Sequence, residues 1–281
     1  MPTFIQVDSS DRKTLFDNLK SNLSWEKIYP QLGISRSMFF HYLSGRYPIP
    51  EGIFFRLEEI SKTASTKIKK VERVRYLPKE IKDFKIDTDL SEILGVLNGD
   101  GHLDPINYEI CVVGNSLEKD YCSYLKRLFE AKFGMDFKTL FPANCFKLRI
   151  YSKNLFRKLS EVYNLPLGNK MGKLKIPSQI KENPEFLKAY IRGLYDTDGC
   201  FHIRRKKDPM VIITSADETF LSEVKAALES LGFHPSRGDK RIFLYRPKEV
   251  ARFFDEIKPA NPKHLNKYQK YLNLSAGGLT V

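Results

Sequence analysis

SEILGVLNGDGHL, residues 91–103, and AYIRGLYDTDGCF, residues 189–201, decide the reading of this chain. A shift of 98 residues superposes Gly95 on Gly193, Asp100 on Asp198 and Gly101 on Gly199. The repetition continues downstream. EICVVGNS is followed by a helix-like stretch from Leu117 to Phe133, and MVIITSAD by one from Glu218 to Leu231. Each stretch ends near a glycine, Gly134 or Gly232. KLRIYSKNLFRKL (147–159) and RIFLYRPKEVARFF (241–254) then alternate like strands before turning helical. The pattern predicts an α+β chain of two pseudo-symmetric αββαββα repeats, residues 89–188 and 189–281.

A helix that ends in Asp-Gly and runs into strands puts its acid at the helix C-terminal end, with Gly101 and Gly199 expected as left-handed caps. A carboxylate there meets the negative pole of the helix dipole, at a cost of roughly 0.3–1 kcal/mol. Small residues four apart, Gly95/Gly99 and Gly193/Thr197, let two such helices approach closely. Pairing them brings Asp100 and Asp198 together, where the charges repel by roughly 1–4 kcal/mol at about 4 Å. A divalent cation between them removes the conflict and makes a hydrolytic centre.

These residues resemble the signature of the LAGLIDADG homing endonucleases. The match is Ile93-Leu94-Gly95-Val96-Leu97-Asn98-Gly99-Asp100-Gly101, and again Ile191-Arg192-Gly193-Leu194-Tyr195-Asp196-Thr197-Asp198-Gly199. GNKMGKLKIPSQI (168–180) is similar to the family's connecting stretch, so the resemblance covers about residues 89–270. Two motifs in one chain resemble the monomeric members. The resemblance implies sheets lying in the DNA major groove, a long double-stranded recognition site, and hydrolysis of both strands with Mg2+ or Mn2+. The implied metal set is Asp100 and Asp198 with Gly99 and Thr197; Asn98, where the consensus has its first Asp, is not the catalytic position. Candidates for an assisting cation are Lys147 and Arg149 in the first repeat, Lys240 and Arg241 in the second. Alternation places Lys147, Arg149 and Tyr151 on one strand face, and Phe243 stands where Arg149 would have its counterpart. Asn115 and Ser215 are candidates for orienting water. His102 gains no support from symmetry, because its counterpart is Cys200.

Residues 1–62 are expected to form a small all-α domain that resembles a repressor-type helix-turn-helix. Ser24 caps a helix through Leu32, Gly33-Ile34 turns, and Ser35 caps a second helix from Arg36 to about Leu43, ended by Gly45. Pro30 should kink or shorten the first helix. Arg36, Ser37, His41 and Arg46 are then DNA-contact candidates, joined in the second repeat by Arg204, Arg205, Lys206 and Lys207, and by Tyr151 and Tyr245. Residues 63–88 read as a basic linker containing Pro78, with nine Lys/Arg against three Asp/Glu over 62–85.

Composition agrees with a polyanion partner. The 281 residues carry a net charge of +13, and excess cationic charge draws nucleic acid through counterion release. The 42% apolar and 12% aromatic content supports packed cores. No apolar run is long enough to span a bilayer. MPTFIQVDSSDRK lacks a signal core, so a cytoplasmic site is expected. Cys111, Cys122, Cys145 and Cys200 form no C-x-x-C pair and are expected to be free thiols. A splicing intein is not expected, since the chain begins at Met1 and ends in GLTV without a His-Asn pair. Two alternatives stay open: a non-cleaving DNA-binding regulator on the same scaffold, and a maturase that holds intron RNA.

Overall fold

The computed structural model describes residues 3–72, 83–205 and 208–277. The chain divides between residues 77 and 78 into two units, each with a separate apolar core. Among the described residues no helix is long and apolar enough to cross a membrane.

The first unit runs β1 (Thr3–Val7), α1 (Ser9–Asn22), α2 (Trp25–Gln31), α3 (Arg36–Leu43), β2 (Ile49–Pro50), α4 (Glu51–Ser61) and β3 (Ile68–Glu72). The turn between α2 and α3 follows the sequence closely. Gly33 sits at φ +67°, open to glycine, and the Ser35 hydroxyl accepts from the Met38 N–H at 3.2 Å. Pro30 is the penultimate residue of a seven-residue α2, a helix as short as the sequence led one to expect, and its missing N–H leaves the Glu26 carbonyl without its helical donor. Phe16, Leu19, Ile28, Phe39, Phe54 and Leu57 fill the core. Two expectations need correction. The unit is not all-α, because β1 is the centre of an antiparallel sheet ordered β2-β1-β3. The basic linker begins too early, because β3 pairs with β1 from Ile68↔Val7 to Glu72↔Thr3. A lysine-rich five-residue edge strand, IKKVE, reads as a linker for a physical reason: lysines are how sheet edges are kept from pairing further.

The second unit repeats one pattern twice. The first pass is α5 (Thr88–Asn98), β4 (Gly101–Asp104), β5 (Glu109–Asn115), α6 (Lys119–Phe133), β6 (Lys138–Leu140), β7 (Cys145–Tyr151) and α7 (Lys153–Arg157), which continues as a π-helical turn over Lys158–Val162. After the short α8 (Ser178–Lys181), the second pass is α9 (Pro184–Asp198), β8 (Gly199–Arg204), β9 (Asp208–Thr214), α10 (Glu218–Ser230), β10 (Ser236–Gly238), β11 (Arg241–Leu244) and α11 (Pro247–Glu256); α12 (Pro262–Gly277) follows. The two four-stranded antiparallel sheets have equivalent orders, β4-β5-β7-β6 and β8-β9-β11-β10. One face of each is apolar: Ile110, Val112, Leu148 and Ile150 in the first sheet, Val211, Ile213, Ile242 and Leu244 in the second. The expected α+β fold of two αββαββα repeats is therefore present.

The repeats meet along α5 and α9. A side chain on Gly95 would lie 2.1 Å from the Tyr190 carbonyl oxygen, and one on Gly193 would lie 2.1 Å from that of Glu92. Tyr190 and Glu92 are themselves 98 residues apart, as are the glycines. The helices thus cross backbone to backbone about a local twofold.

Candidate active site at the paired helices

Asp198 is the last residue of α9, and Asp100 stands two residues beyond the end of α5. The carboxylates are half-buried, and one Asp198 oxygen would lie 3.4 Å from a Cβ placed on Gly99, so this acid reaches the facing helix end. Burial pushes Asp198 up to about 6, and the Asp100 charge adds to the rise. Burial also raises Asp100, with the Lys263 and Lys170 charges opposing it and Glu118 reinforcing it. The sequence-stated pair is thus assembled, and its two charges conflict as expected.

The glycines after these acids act differently from expectation. Gly199 is extended, at φ −95° and ψ 163°, and Gly101 opens β4; neither is a left-handed cap. Glycine is needed there for space. A Cβ at Gly101 would meet the Leu97 carbonyl oxygen at 2.5 Å, and one at Gly199 that of Tyr195 at 2.2 Å. The strand leaves its helix too tightly for any side chain.

Two lysines complete the centre. Lys170 donates to the carbonyl oxygens of Leu97 (3.0 Å), Asn98 (3.1 Å) and Gly99, capping the negative end of α5. Burial lowers its pKa, against the pull of Asp198 and Asp100. Lys263, at the start of α12, exerts its charge on both carboxylates and sits 3.4 Å from Glu118. Neither lysine stood among the sequence candidates. The signal was a shared spacing: Pro166 and Pro259 each precede a lysine by four residues, just after the last helix of a repeat.

The sequence candidates divide into groups. Lys240 and Arg241 line an open cleft of about 670 Å³ together with Asp198 and Lys170. Lys147 and Arg149 lie on the non-apolar face of β7, as alternation requires, but both engage Glu109, at 3.0 and 3.3 Å. Burial alone would raise Glu109; hydrogen bonds and charge from Lys147, Tyr151 and Arg149 outweigh it and hold the carboxyl below its usual range. Arg149 also donates to the Tyr151 hydroxyl at 3.0 Å. Cross-strand pairing supports the asymmetry noted in the sequence. Cys111 pairs with His102 and Arg149, and Ile212 with Cys200 and Phe243, so Phe243 takes the Arg149 place and Arg241 that of Lys147. Tyr245 is exposed beside Phe243.

The Thr197 hydroxyl donates its proton to the Gly193 and Leu194 carbonyls of its own helix. The Gly99 carbonyl is already held by Lys170. Asn115 and Ser215 use their side-chain oxygens in turns, accepting from Leu117 and Asp217 N–H groups. Asn98 and Asp196, at the first acidic position of each motif, are structural. Asn98 donates to Lys175 and to the Tyr190 hydroxyl, while fully buried Asp196 accepts from the Ala260 and Asn261 amides. Burial pushes Asp196 up to about 7 despite those donors. His102 is exposed on β4.

Among the described residues no group of three or more His, Cys, Asp or Glu is placed to hold a metal. A pair of mutually repelling aspartates is nevertheless a hard-oxygen donor set of the kind that binds magnesium or manganese when a phosphate completes the shell. Asp100 and Asp198 therefore fit such an ion.

Of the other DNA-contact candidates, Arg36, Ser37 and Arg46 are exposed on and just after α3, with His41 half-buried beside Tyr47. Arg204 ends β8, 3.9 Å from Asp208, and Arg205 turns the hairpin at φ +51°. Lys206 and Lys207 lie outside the described residues.

No curated protein matches the chain. Solved structures similar to it include the homing endonuclease I-DmoI in complex with DNA and Mn, at 17% identity and TM-score 0.45, covering 60% of this chain and 96% of that one. The LAGLIDADG meganuclease I-AabMI bound to uncleaved DNA is similar at 12% identity and TM-score 0.47, covering 68% and 91%. The N-terminal LAGLIDADG domain of DUF199/WhiA is similar at 14% identity and TM-score 0.43, covering 63% and 86%. Residues 185–258, from the first turn of α9 to two residues past α11, match the LAGLIDADG-like domain family.

Proposed function

We propose that the chain is a site-specific, divalent-metal-dependent DNA endonuclease that cuts both strands of a long duplex target. The observation that carries this reading is the pair Asp100 and Asp198 at the end of a backbone-to-backbone helix crossing, with Lys170 and Lys263 acting on both acids.

The two carboxylates would hold a divalent cation, whose charge would relieve their mutual repulsion. Such a cation, magnesium or manganese, supplies Lewis acidity toward a phosphodiester and acidifies water. Lys170 and Lys263 bring positive charge to the same place, suited to the oxygens that gain charge as a phosphodiester breaks. Arg204, Arg205, Arg241 and Tyr245 supply contacts to duplex on one half-site, and Tyr151 with Arg149 on the other. The α2–α3 turn in the first unit offers Arg36, Ser37, His41 and Arg46 to a flanking groove.

A second reading, a DNA binder that does not cut, draws support from that same turn and from the lack of a third metal-ligating side chain among the described residues. One experiment separates them. Duplexes are selected from a randomised library for cleavage with Mg2+, using the wild type, Asp100→Asn and Asp198→Asn. The expected result is double-strand cutting by the wild type alone, with binding in Ca2+ kept by all three. Binding without cutting in any divalent metal overturns the nuclease reading in favour of the regulator. Saturable binding of a folded intron RNA in preference to duplex overturns it in favour of a maturase.

A further inference from the structure

The segments that carry Lys170 and Lys263 are each held by the opposite repeat. The first closes repeat one, yet its Gly172 amide donates to an Asp217 carboxylate oxygen at 2.9 Å. Its Ile176 amide donates to Glu223 at 3.0 Å. Asp217 is the N-cap of α10 and Glu223 lies within that helix, in repeat two. The second segment closes repeat two. There Asn261 donates through its side-chain amide to Glu118 at 2.6 Å, and Lys263 sits 3.4 Å from the other Glu118 oxygen. Glu118 is the N-cap residue of α6, in repeat one. The two acids thus occupy equivalent places, one residue before the central helix of each repeat, and each grips the lysine segment that belongs to the other.

Both grips are built sites. Asp217 is 5% exposed, and its two oxygens are divided, one capping Phe220 N–H at 3.1 Å and the other taking Gly172. Asn261 is fully buried and saturated: its amide donates to Glu118 and to the Asp196 carbonyl, its N–H donates to Asp196, and its side-chain oxygen accepts from Lys263 N–H. The helix pair itself packs through Gly95 and Gly193.

We infer that Asp217 and Glu118 are reciprocal positioning residues: each repeat holds the segment from which the other repeat's active-site lysine reaches, Lys170 then seating its ammonium on the end of α5 and Lys263 lying beside Glu118, so that neither lysine is aligned unless both repeats are folded and docked. This rests on the nuclease reading above. A lysine set free of its grip is misplaced by a fraction of its own reach, and misplacement on the ångström scale lowers a rate by about 10–100-fold. With the repeats related by a local twofold, each lysine is assigned to one strand of the target, and either grip can be lost without the other.

The test uses the full chain and a selected duplex labelled on each strand in turn. Asp217→Asn keeps an oxygen for the Phe220 cap and replaces the acceptor of Gly172 with an NH2 group. Glu118→Gln removes the charge beside Lys263 at a residue whose side chain makes no cap bond. Each variant is expected to slow cutting of one strand by about 10–100-fold and to leave the other within about three-fold. The slowed strand is opposite in the two variants, so each accumulates a different nicked duplex. Lys170→Met should share the strand bias of Asp217→Asn, and the double variant should be no slower than Lys170→Met alone, because the acid acts through the lysine. Faster amide exchange at Gly172 in Asp217→Asn is expected without any substrate. Equal slowing of both strands, or additive effects with Lys170→Met, overturns the positioning role while wild-type cutting leaves the nuclease reading standing. A wild type that cuts no duplex overturns both, and that result is read in its own lane.

Discussion

Asp198 stands where two effects compete, and burial wins. Its carboxyl sits near 6 in the folded chain against an ordinary value of 3.8. Between those values the folded chain holds a proton that the unfolded chain has released. The group therefore costs nothing below about pH 4 and an increasing amount as pH rises through 6, reaching on the order of 2–3 kcal/mol. In EDTA, the gap in second-unit melting temperature between Asp198→Asn and the wild type is expected to open from pH 4 to pH 7, because the opposite slope from buried His264, held down to about 3, is common to both proteins. Asp198→Asn should match the wild type at pH 4 and exceed it by about 5 °C at pH 7. Asp196, pushed up to about 7, adds the same slope to both proteins and does not disturb the comparison. Magnesium should raise the melting temperature of the wild type and not of the variant; parallel pH profiles would contradict the assignment.

At this scale the sequence exposed the acids and hid their partners. Asp100 and Asp198 could be found because a local repeat marks them. Lys170 and Lys263 lie in irregular stretches, and their importance comes from where tertiary packing returns those stretches. Lys147 and Arg149 were legible as cations on a strand face, but the Glu109 that engages them is 38 and 40 residues away in sequence.

Among the elements, the α5–α9 pair governs the site. Gly193→Ala puts a methyl 2.1 Å from the Glu92 carbonyl oxygen, and backbone on both sides leaves little that can yield. The helices must separate, at a cost of about 1–3 kcal/mol even after the better helix propensity of alanine. Urea unfolding of the second unit reports this directly. Because separation also moves the acids apart, cutting should fall further than duplex binding. An alanine that left stability unchanged would mean the helices do not touch there.

The α2–α3 turn gives a contrasting element. Ser35 and Gly33 are local signals, and the structure places both as the sequence indicates. Ser35→Ala loses the cap of α3 and should destabilise the first unit by about 1 kcal/mol, with no effect on the melting of the second. Calorimetry with resolved transitions checks this. The strands around that turn were not legible, since β2 has two residues and β3 is a charged edge whose partner lies at the other end of the unit.

For the whole molecule, the two apolar clusters share no residue: one lies within Ile5–Leu57 and the other within Phe84–Ile257. A fragment of residues 78–281 is therefore expected to fold alone and to melt at the temperature of the second transition of the full chain. With the acids, both lysines and both grips retained, it should still cut the selected duplex. Its affinity should be lower and its dependence on salt weaker, because the cations of the first unit are gone. Filter binding across a salt series measures both. An unchanged slope would show that the first unit makes no phosphate contacts.

The amino-acid sequence alone determined the duplication, the element order of each repeat, the two acids and the cap and turn of α2–α3, because all of these are written in spacing over a few residues. Tertiary structure decided which cations attend the acids, why Gly101 and Gly199 must be glycine, and which repeat holds which lysine. Those depend on atoms distant in the chain meeting within hydrogen-bond or van der Waals distance, and no local period encodes such meetings.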